Sequence, residues 1–168
     1  MKVSEVMTKS PASCSSDMNL GAAAEIMWNY NCGFLPILSS QQKVVGVITD
    51  RDMCMAMATR NRLPGNITVQ QVSSGVIYSC KSEDDASTAL ETMKEKGIRR
   101  LPVLDATGKL AGVLSVDDLV LHADSEPFGS LSSEDVVLSL KKLYSSQFGQ
   151  TQRKAALAFL YELAELGA

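Results

Sequence analysis

The sequence is poor in the residues that most enzymes and metal sites use. It has one histidine, His122, and four cysteines, Cys14, Cys32, Cys54 and Cys80, without a C-x-x-C pair or the spacing of zinc ligands. A Walker loop, a G-x-G-x-x-G motif and a histidine beside a cysteine nucleophile are also missing from the sequence. These absences predict a protein that is not an enzyme and requires no metal or other cofactor.

Long apolar runs are missing as well. The longest, Ala155–Tyr161 and Val44–Ile48, fall far short of the roughly 20 residues of a membrane-spanning helix. The first residues carry no apolar core of a secretory signal, and a disulfide framework is not expected in a chain of this size. We therefore expect a cytoplasmic protein with reduced cysteines and no membrane partner.

Charge of either sign is modest. Sixteen lysines and arginines against nineteen aspartates and glutamates give a net charge of −3 and a pI near 5.2. Binding to a nucleic-acid backbone requires a basic face, so the composition disfavours a nucleic-acid partner. With 168 residues, of which 45% are hydrophobic, the chain is long enough to bury a core.

What the sequence does contain is an internal repeat. A shift of 66 residues aligns Val3–Met55 with Val69–Leu121 without a gap, and 15 of the 53 aligned pairs are identical. Two copies are too few for a solenoid, so they predict one module with pseudo-two-fold symmetry. We assign residues 1–60 to the first copy, 61–68 to a linker, 69–123 to the second copy and 124–168 to a C-terminal helical extension.

Each copy has the pattern β-α-β-β-α, which predicts an α/β (α+β) fold. Asp17 and Ser82 are the candidate N-caps of the first helix in each copy, and apolar residues then recur at helical spacing. A second helix is predicted after Thr49 and after Ser115. Strands are predicted in three places per copy: near Ala12–Ser15, Phe34–Leu38 and Val44–Ile48, and near Val76–Cys80, Arg100–Leu104 and Leu110–Leu114.

The repeat pattern stops at about Ser125. Ser132 with Asp135 predicts the start of one helix, and a second is predicted from about Thr151. The portion from Ala155 to Leu166 is apolar on almost every side, whereas a surface helix normally keeps a polar face. Two interpretations stay open: the segment folds back onto its own core, or it forms a dimer or partner interface.

The sharpest motif is G-V-I-T-D-R-D at positions 46–52, which returns as G-V-L-S-V-D-D at positions 112–118. Its simplest interpretation is a capping box, formed by Thr49 with Asp52 and by Ser115 with Asp118. The same geometry places a hydroxyl, free N–H groups and a carboxylate at a helix N-terminus. Such a site can receive a phosphate and bind a ribose diol.

These features together resemble a tandem cystathionine-β-synthase (CBS) domain pair over about residues 1–123. The resemblance lies in the period, the Leu-Pro-hydrophobic strand, the G-h-h-[ST]-x-x-D ending and the opening V-S-E-V-M-T from Val3 to Thr8. It implies a regulatory module that binds adenosine ligands in clefts between the paired domains: AMP, ADP or ATP, and sometimes S-adenosylmethionine or NAD-type dinucleotides. It also implies self-association, so we expect a homodimer that acts on an effector protein of unknown identity.

The resemblance assigns ribose and adenine contacts to particular residues. Asp52 and Asp118 would hold the ribose hydroxyls, and Thr49 and Ser115 would face ribose or phosphate. The backbone after each opening segment would line the adenine pocket: Thr8, Ser10, Pro11 and Ala12 from the first copy, and Val76, Ile77 and Tyr78 from the second.

Phosphate contacts are implied for a basic residue just before Leu-Pro. In the second copy this place holds Arg99 and Arg100, whereas the first copy has Gly33 and Phe34. We therefore expect the two clefts to differ, with the motif of the second copy forming the better nucleotide site. The alternative is that the two arginines are a solvated strand end.

Three functions remain open from the sequence. The first is a stand-alone, non-catalytic sensor of an adenine nucleotide. The second is a structural dimerisation or partner-interaction module with no physiological nucleotide. A third, a ligand-gated regulator of nucleic acid, is disfavoured by the acidic balance and by the missing helix-turn-helix pattern.

Overall fold

The computed structural model describes residues 1–123 and 131–145. Residues 133–145 are helical, and short 3₁₀ turns cover Pro64–Asn66 and Val69–Gln71. The other elements, in chain order, are α1 (Val3–Val6), β1 (Thr8–Lys9), β2 (Cys14–Ser15), α2 (Leu20–Asn29), β3 (Phe34–Leu38), β4 (Val44–Thr49), α3 (Asp50–Arg60), β5 (Cys80–Lys81), α4 (Ala86–Lys96), β6 (Arg100–Leu104), β7 (Leu110–Ser115) and α5 (Val116–Leu121).

Two small sheets repeat one topology. In the first sheet, of order β2-β3-β4, β2 runs parallel to β3 and β3 runs antiparallel to β4. The second sheet, of order β1-β7-β6-β5, pairs β5 with β6 and β6 with β7 in the same senses. The register repeats as well, since Cys14 faces Ile37 and Cys80 faces Val103. The predicted α/β fold of two β-α-β-β-α repeats is confirmed.

Each opening segment, residues 3–8 in the first copy and 69–74 in the second, packs on the other copy. Val3, on α1, is buried in the core of the second copy, and its counterpart Val69 is buried in the core of the first. The Val3 N–H donates to the Asp84 carbonyl at 2.9 Å, and the Val69 N–H donates to the Met18 carbonyl at 2.8 Å. Because each core takes apolar side chains from both copies, neither copy has a complete core by itself.

The opening segment of each copy also pairs with a strand of the other copy. Thr8 of β1 pairs with Val113 of β7, and Ser74 forms the equivalent bridge to Val47 of β4. The opening segment of each copy therefore runs beside the G-h-h-[ST]-x-x-D motif of the other. This crossing builds the clefts described below.

The predicted N-caps at Asp17 and Ser82 were wrong. The helices α2 and α4 begin after Asn19 and after Asp85. The physical reason is that Asp17 and Ser82 lie in turns, so that neither can begin a helix. Each true cap residue follows its turn and is bridged to the residue just before the opening segment of the other copy. The partners in these bridges are Thr68 and Lys2.

The first strands are shorter than predicted. Pairing is confined to Cys14–Ser15 and Cys80–Lys81, so the preceding residues of each predicted strand lie outside the sheets. Ser10 adopts a left-handed backbone with φ of 51°, which turns the chain before β2. Several of these unpaired residues line a cleft instead.

The C-terminal extension is described over 131–145. Its helix begins as predicted, because the Asp135 N–H donates to the Ser132 hydroxyl at 3.1 Å. Leu131, Val136 and Leu143 are buried against the core of the second copy. The helix predicted from Thr151 lies outside the described residues. No helix within the described ranges is long and apolar enough to cross a membrane.

Candidate functional site

Two clefts lie where the opening segment of one copy meets the motif of the other. The first cleft contains Thr49 and Asp52 of the first copy, facing Val76 and Tyr78 of the second. Its volume is about 330 Å³. That volume is at the lower end of the range for small-molecule sites.

The second cleft is the pseudo-symmetric counterpart of the first. It contains Ser115 and Asp118 of the second copy and has a volume of about 310 Å³. The chain after the first opening segment forms its opposite wall, through Thr8, Ser10, Pro11 and Ala12. The structure therefore brings these six predicted residues together around one cleft.

Both motifs form capping boxes, so that interpretation is confirmed. The Thr49 hydroxyl donates to Asp52 Oδ2 at 2.7 Å, and the Thr49 N–H donates to the same oxygen at 3.0 Å. In the second copy the Ser115 hydroxyl and N–H donate to Asp118 Oδ2 at 2.6 and 2.8 Å. The return bonds run from the aspartate N–H to the threonine or serine hydroxyl, at 3.2 and 3.1 Å.

The capping boxes leave one oxygen of each carboxylate available. Every side-chain bond to Asp52 and Asp118 ends on Oδ2, and Oδ1 accepts no hydrogen bond from the described part of the chain. A capping carboxylate can thus hold its helix and accept a hydrogen bond from a ligand hydroxyl at the same time. The capping and ribose-binding interpretations are compatible.

The expected placement of the two arginines was wrong in one respect. Arg99 is exposed and lines the first cleft rather than the second, whereas Arg100 is half-buried and lines both. Arg99 lies in the bend just before β6, whereas Arg100 is the first residue of the strand, so the two neighbours are not placed alike.

The two clefts therefore differ in charge in the opposite sense to the one expected, with more cationic residues lining the first cleft than the second. The first cleft has three guanidiniums, Arg51, Arg99 and Arg100, against the carboxylates of Asp50 and Asp52. The second cleft sets Arg100 alone against two carboxylates, those of Asp117 and Asp118. An anionic ligand meets a more favourable charge balance in the first cleft.

Ile77 is the one predicted contact that lines neither cleft. It is half-buried, while its neighbours Val76 and Tyr78 face the first cleft. The Lys96 ammonium lies 5.5 Å from the centre of the Tyr78 ring, within range of a cation–π contact. That contact holds an aromatic face at the wall of the first cleft.

Several residues that line the clefts were not predicted from the sequence as ligand contacts. Phe34 lines both clefts, and the 66-residue shift could have identified it because it aligns with Arg100. The other lining residues not assigned a contact are Tyr30, Asn31, Cys32, Gly33, Val113 and Asp117 in the second cleft, and Val47, Asp50, Arg51, Ser74, Gly97, Ile98 and Pro102 in the first. Gly33 carries the same signal because it aligns with Arg99, and the residues within positions 46–52 and 112–118 belong to the repeated motif.

The chain is similar in sequence to known proteins. A family model of the CBS domain matches residues 3–59 and again residues 69–125. An uncharacterised 17.7 kDa protein of Acidianus ambivalens is 29% identical over 79% of this chain and 81% of its own length. An uncharacterised protein of Methanopyrus kandleri is 26% identical over 69% of this chain, which spans 57% of that relative.

Solved structures show the same fold. A CBS domain protein of Pyrobaculum aerophilum, complexed with AMP, is 25% identical, with a TM-score of 0.65 over 71% of this chain and 90% of that one. The CBS domain pair of protein MJ0100, in complex with 5′-methylthioadenosine and S-adenosyl-L-methionine, is 22% identical, with a TM-score of 0.66 over 72% and 94% of the two chains. Two matched domains, one repeated register and two pseudo-symmetric clefts agree: the chain belongs to the CBS domain family, as a tandem pair.

Proposed function

We propose that this chain is a non-catalytic sensor that binds an adenine nucleotide of the AMP, ADP or ATP class in the clefts between its paired CBS domains. One observation carries the proposal. Each cleft is lined by a helix N-terminal carboxylate from one copy, by the chain at or after the opening segment of the other, and by at least one arginine.

The parts of a nucleotide match the parts of each cleft. Ribose hydroxyls can donate to the free Oδ1 of Asp52 or Asp118, and charge-assisted bonds of this kind are the strong ones. Phosphate can accept a bidentate pair of bonds from a guanidinium. The adenine ring has a flat partner in Tyr78 in the first cleft, and in the second cleft it can lie against the backbone after Thr8.

The AMP complex of the Pyrobaculum aerophilum protein supports this ligand class. S-adenosylmethionine is retained as a weaker candidate, because the MJ0100 pair holds adenosine-bearing ligands without phosphate. NAD-type dinucleotides are retained as weaker candidates on the family resemblance alone. A homodimer, an effector protein and a cytoplasmic setting complete the proposal. Nucleic acid is not among the proposed partners, since the chain carries a net charge of −3.

Charge decides which cleft a phosphate prefers. Sequence reasoning favoured the cleft of Ser115 and Asp118, on the premise that both arginines lie there. Since Arg99 lines the first cleft, we now assign the tighter AMP site to the cleft of Thr49 and Asp52.

Calorimetric titration tests the proposal. AMP, ADP, ATP and adenosine are titrated in turn, with S-adenosylmethionine and NADH as the wider panel and GMP as the base-specificity control. We expect AMP, ADP or ATP to bind more tightly than adenosine, and GMP to bind weakly. Failure of every adenosine-bearing ligand to bind at up to millimolar concentration would overturn the proposal.

A structural interaction module remains the second candidate. It is favoured by the exposed aromatic surface at the end of α2, where Trp28 is 85% exposed and Tyr30 is 68% exposed. Isolated apolar side chains at a surface are ordinary, but an almost fully exposed tryptophan suits a protein contact, because aromatic residues are enriched in interfaces. Empty clefts in the titration, together with a stable partner complex lost in Trp28→Ala, would favour this function over the sensor.

A further inference from the structure

The two clefts share one cationic side chain. Arg100 lines both of them, and so does Phe34. The two residues occupy the same place in the repeat, because the shift of 66 takes position 34 to position 100. One copy thus contributes an arginine to the lining of both clefts, where the other contributes a phenylalanine.

The second cleft depends on that guanidinium alone. Arg100 is the only lysine or arginine among its lining residues in the described part of the chain, and it faces the carboxylates of Asp117 and Asp118. The first cleft has Arg51 and Arg99 besides Arg100. If Arg100 turns away, the second cleft keeps two carboxylates and no cationic side chain from the described part of the chain. The first cleft keeps Arg51 and Arg99.

Arg100 is available to a ligand in either cleft. Within residues 1–123 and 131–145 its guanidinium forms no ion pair or hydrogen bond. Its planar fork suits bidentate contact with one phosphate. If it touched two phosphates at once, two dianions would lie beside a single cation, and their mutual repulsion would also oppose double occupancy.

We propose that the two clefts are anticooperative for phosphate-bearing adenosine ligands, with Arg100 as the shared group. A nucleotide in the first cleft draws Arg100 toward its phosphate and leaves the second cleft without a cation. This inference rests on the proposed function and adds a regulatory property to it. The second nucleotide binds only at a much higher concentration than the first, so the pair responds over a broader concentration range than two equal sites.

The test compares the second cleft with and without a competitor in the first. Asp52→Ala removes the carboxylate expected to hold ribose in the first cleft and leaves Arg100 to the second. In the unaltered chain, the second cleft is expected to give the weaker of two AMP binding steps in calorimetry. In Asp52→Ala we expect the second cleft to bind AMP more tightly than in that weaker step, by about tenfold or more. That weaker step is identified by its loss in Asp118→Ala.

Adenosine is the matched control ligand, because it lacks the phosphate that competes for Arg100. Its affinity for the second cleft is expected to be the same in the unaltered chain and in Asp52→Ala. Phe34→Arg is an independent variant that offers a second guanidinium at the shared position, with Phe34→Leu as its control. In Phe34→Arg, but not in Phe34→Leu, the two AMP affinities should approach each other, with folding checked by circular dichroism because Phe34 is buried.

Two outcomes separate this inference from the function on which it rests. Equal AMP affinity of the second cleft in the unaltered chain and in Asp52→Ala would overturn the anticooperativity and leave nucleotide binding intact. Failure of both AMP and adenosine to bind the unaltered chain would overturn the proposed function, and this inference with it.

Discussion

At the residue scale, the two capping aspartates combine a structural bond with a free acceptor. Asp52 and Asp118 each hold a helix N-terminus through Oδ2 while Oδ1 stays open to a ligand. A carboxylate alone repels phosphate, so in the proposed site the adjacent arginines would decide whether a nucleotide or only a nucleoside is held. Ribose recognition and phosphate recognition would then reside on different side chains, which mutation can separate.

The first prediction concerns Arg99. We expect Arg99→Gln to weaken AMP binding in the first cleft by about tenfold, because a charge-assisted bond to phosphate is lost. Adenosine binding should not change. Arg62→Gln is the control, since Arg62 lies in the linker and bonds the Asn66 carbonyl outside both clefts. An equal loss for AMP and adenosine would show that Arg99 supports the cleft wall rather than contacting phosphate.

The second prediction concerns thiol reactivity. Burial raises the pKa of the Cys14 thiol to about 11 and that of the Cys80 thiol to about 12, with the charge of Asp84 adding to the rise at Cys80. Both thiols should stay protonated and resist a maleimide at pH 8, whereas the exposed Cys54 should react. Mass spectrometry of the labelled peptides checks this, and full labelling of Cys80 in the native protein would contradict it.

The raised pKa values of Cys14 and Cys80 also predict how the free energy of unfolding depends on pH. Their pKa values are raised in the folded state, so the folded chain holds these protons more tightly than the unfolded chain does. The stability that this contributes is fully present below the ordinary thiol value of 9.0 and is lost as the pH rises toward 11 or 12. Urea unfolding at pH 8 and pH 10.5 should show the decline. Cys14→Ala with Cys80→Ala should make it smaller.

At the scale of secondary-structure elements, one glycine allows two copies to meet. A Cβ on Gly112 in β7 would lie 2.5 Å from the Met7 sulfur and 2.8 Å from the Thr8 carbonyl oxygen. The glycine of the motif is therefore required because β1 crosses β7 at close range. The cap at Ser115 and this crossing lie in one short segment, so the motif shapes the sheet as well as the helix.

The third prediction follows from that contact. We expect Gly112→Ala to lower the free energy of unfolding by about 1–3 kcal/mol, because the added methyl group must displace backbone as well as a side chain. Gly65→Ala is the matched control, since nothing lies within 4 Å of its Cβ position and its φ is not positive. Urea unfolding measures both variants. Equal stability of the two would refute close packing of β1 on β7.

At the scale of the whole molecule, each core is made by both copies. The opening segments are exchanged, so residues near the start of the chain are buried with residues about 80 positions later, as in the Val3 to Asp84 bond. This interlocking predicts a single cooperative unfolding transition for the pair. A ligand bound in either cleft, as proposed, would touch residues of both copies.

The fourth prediction is that the smallest stable species is a homodimer. Trp28 is the single tryptophan of the chain and is 85% exposed in one protomer, so its fluorescence reports on what covers α2. We expect light scattering to give the dimer mass at micromolar concentration. Deletion of 151–168 should reduce helix content and shift the Trp28 emission to longer wavelength. A monomer whose helix content survives the deletion would contradict this prediction.

The sequence by itself determined the local features of this protein. The strands at Phe34–Leu38 and Arg100–Leu104 and the two capping boxes follow from patterns within a few residues, and the 66-residue repeat follows from aligning the chain with itself. The resemblance to the CBS family rests on the same motifs. Such features depend on backbone propensity and on side chains three or four positions apart, which a reading of the chain can assess.

Only the tertiary structure decided how the two copies combine. The caps lie at Asn19 and Asp85, which are bridged to Thr68 and Lys2, residues distant in sequence, and no nearby residue signals that. The assignment of Arg99 to the first cleft and the sharing of Arg100 likewise depend on the crossing of segments far apart in sequence. Side-chain direction at a cleft is set by the packing of both copies, and a repeat in sequence does not reveal which copy faces which.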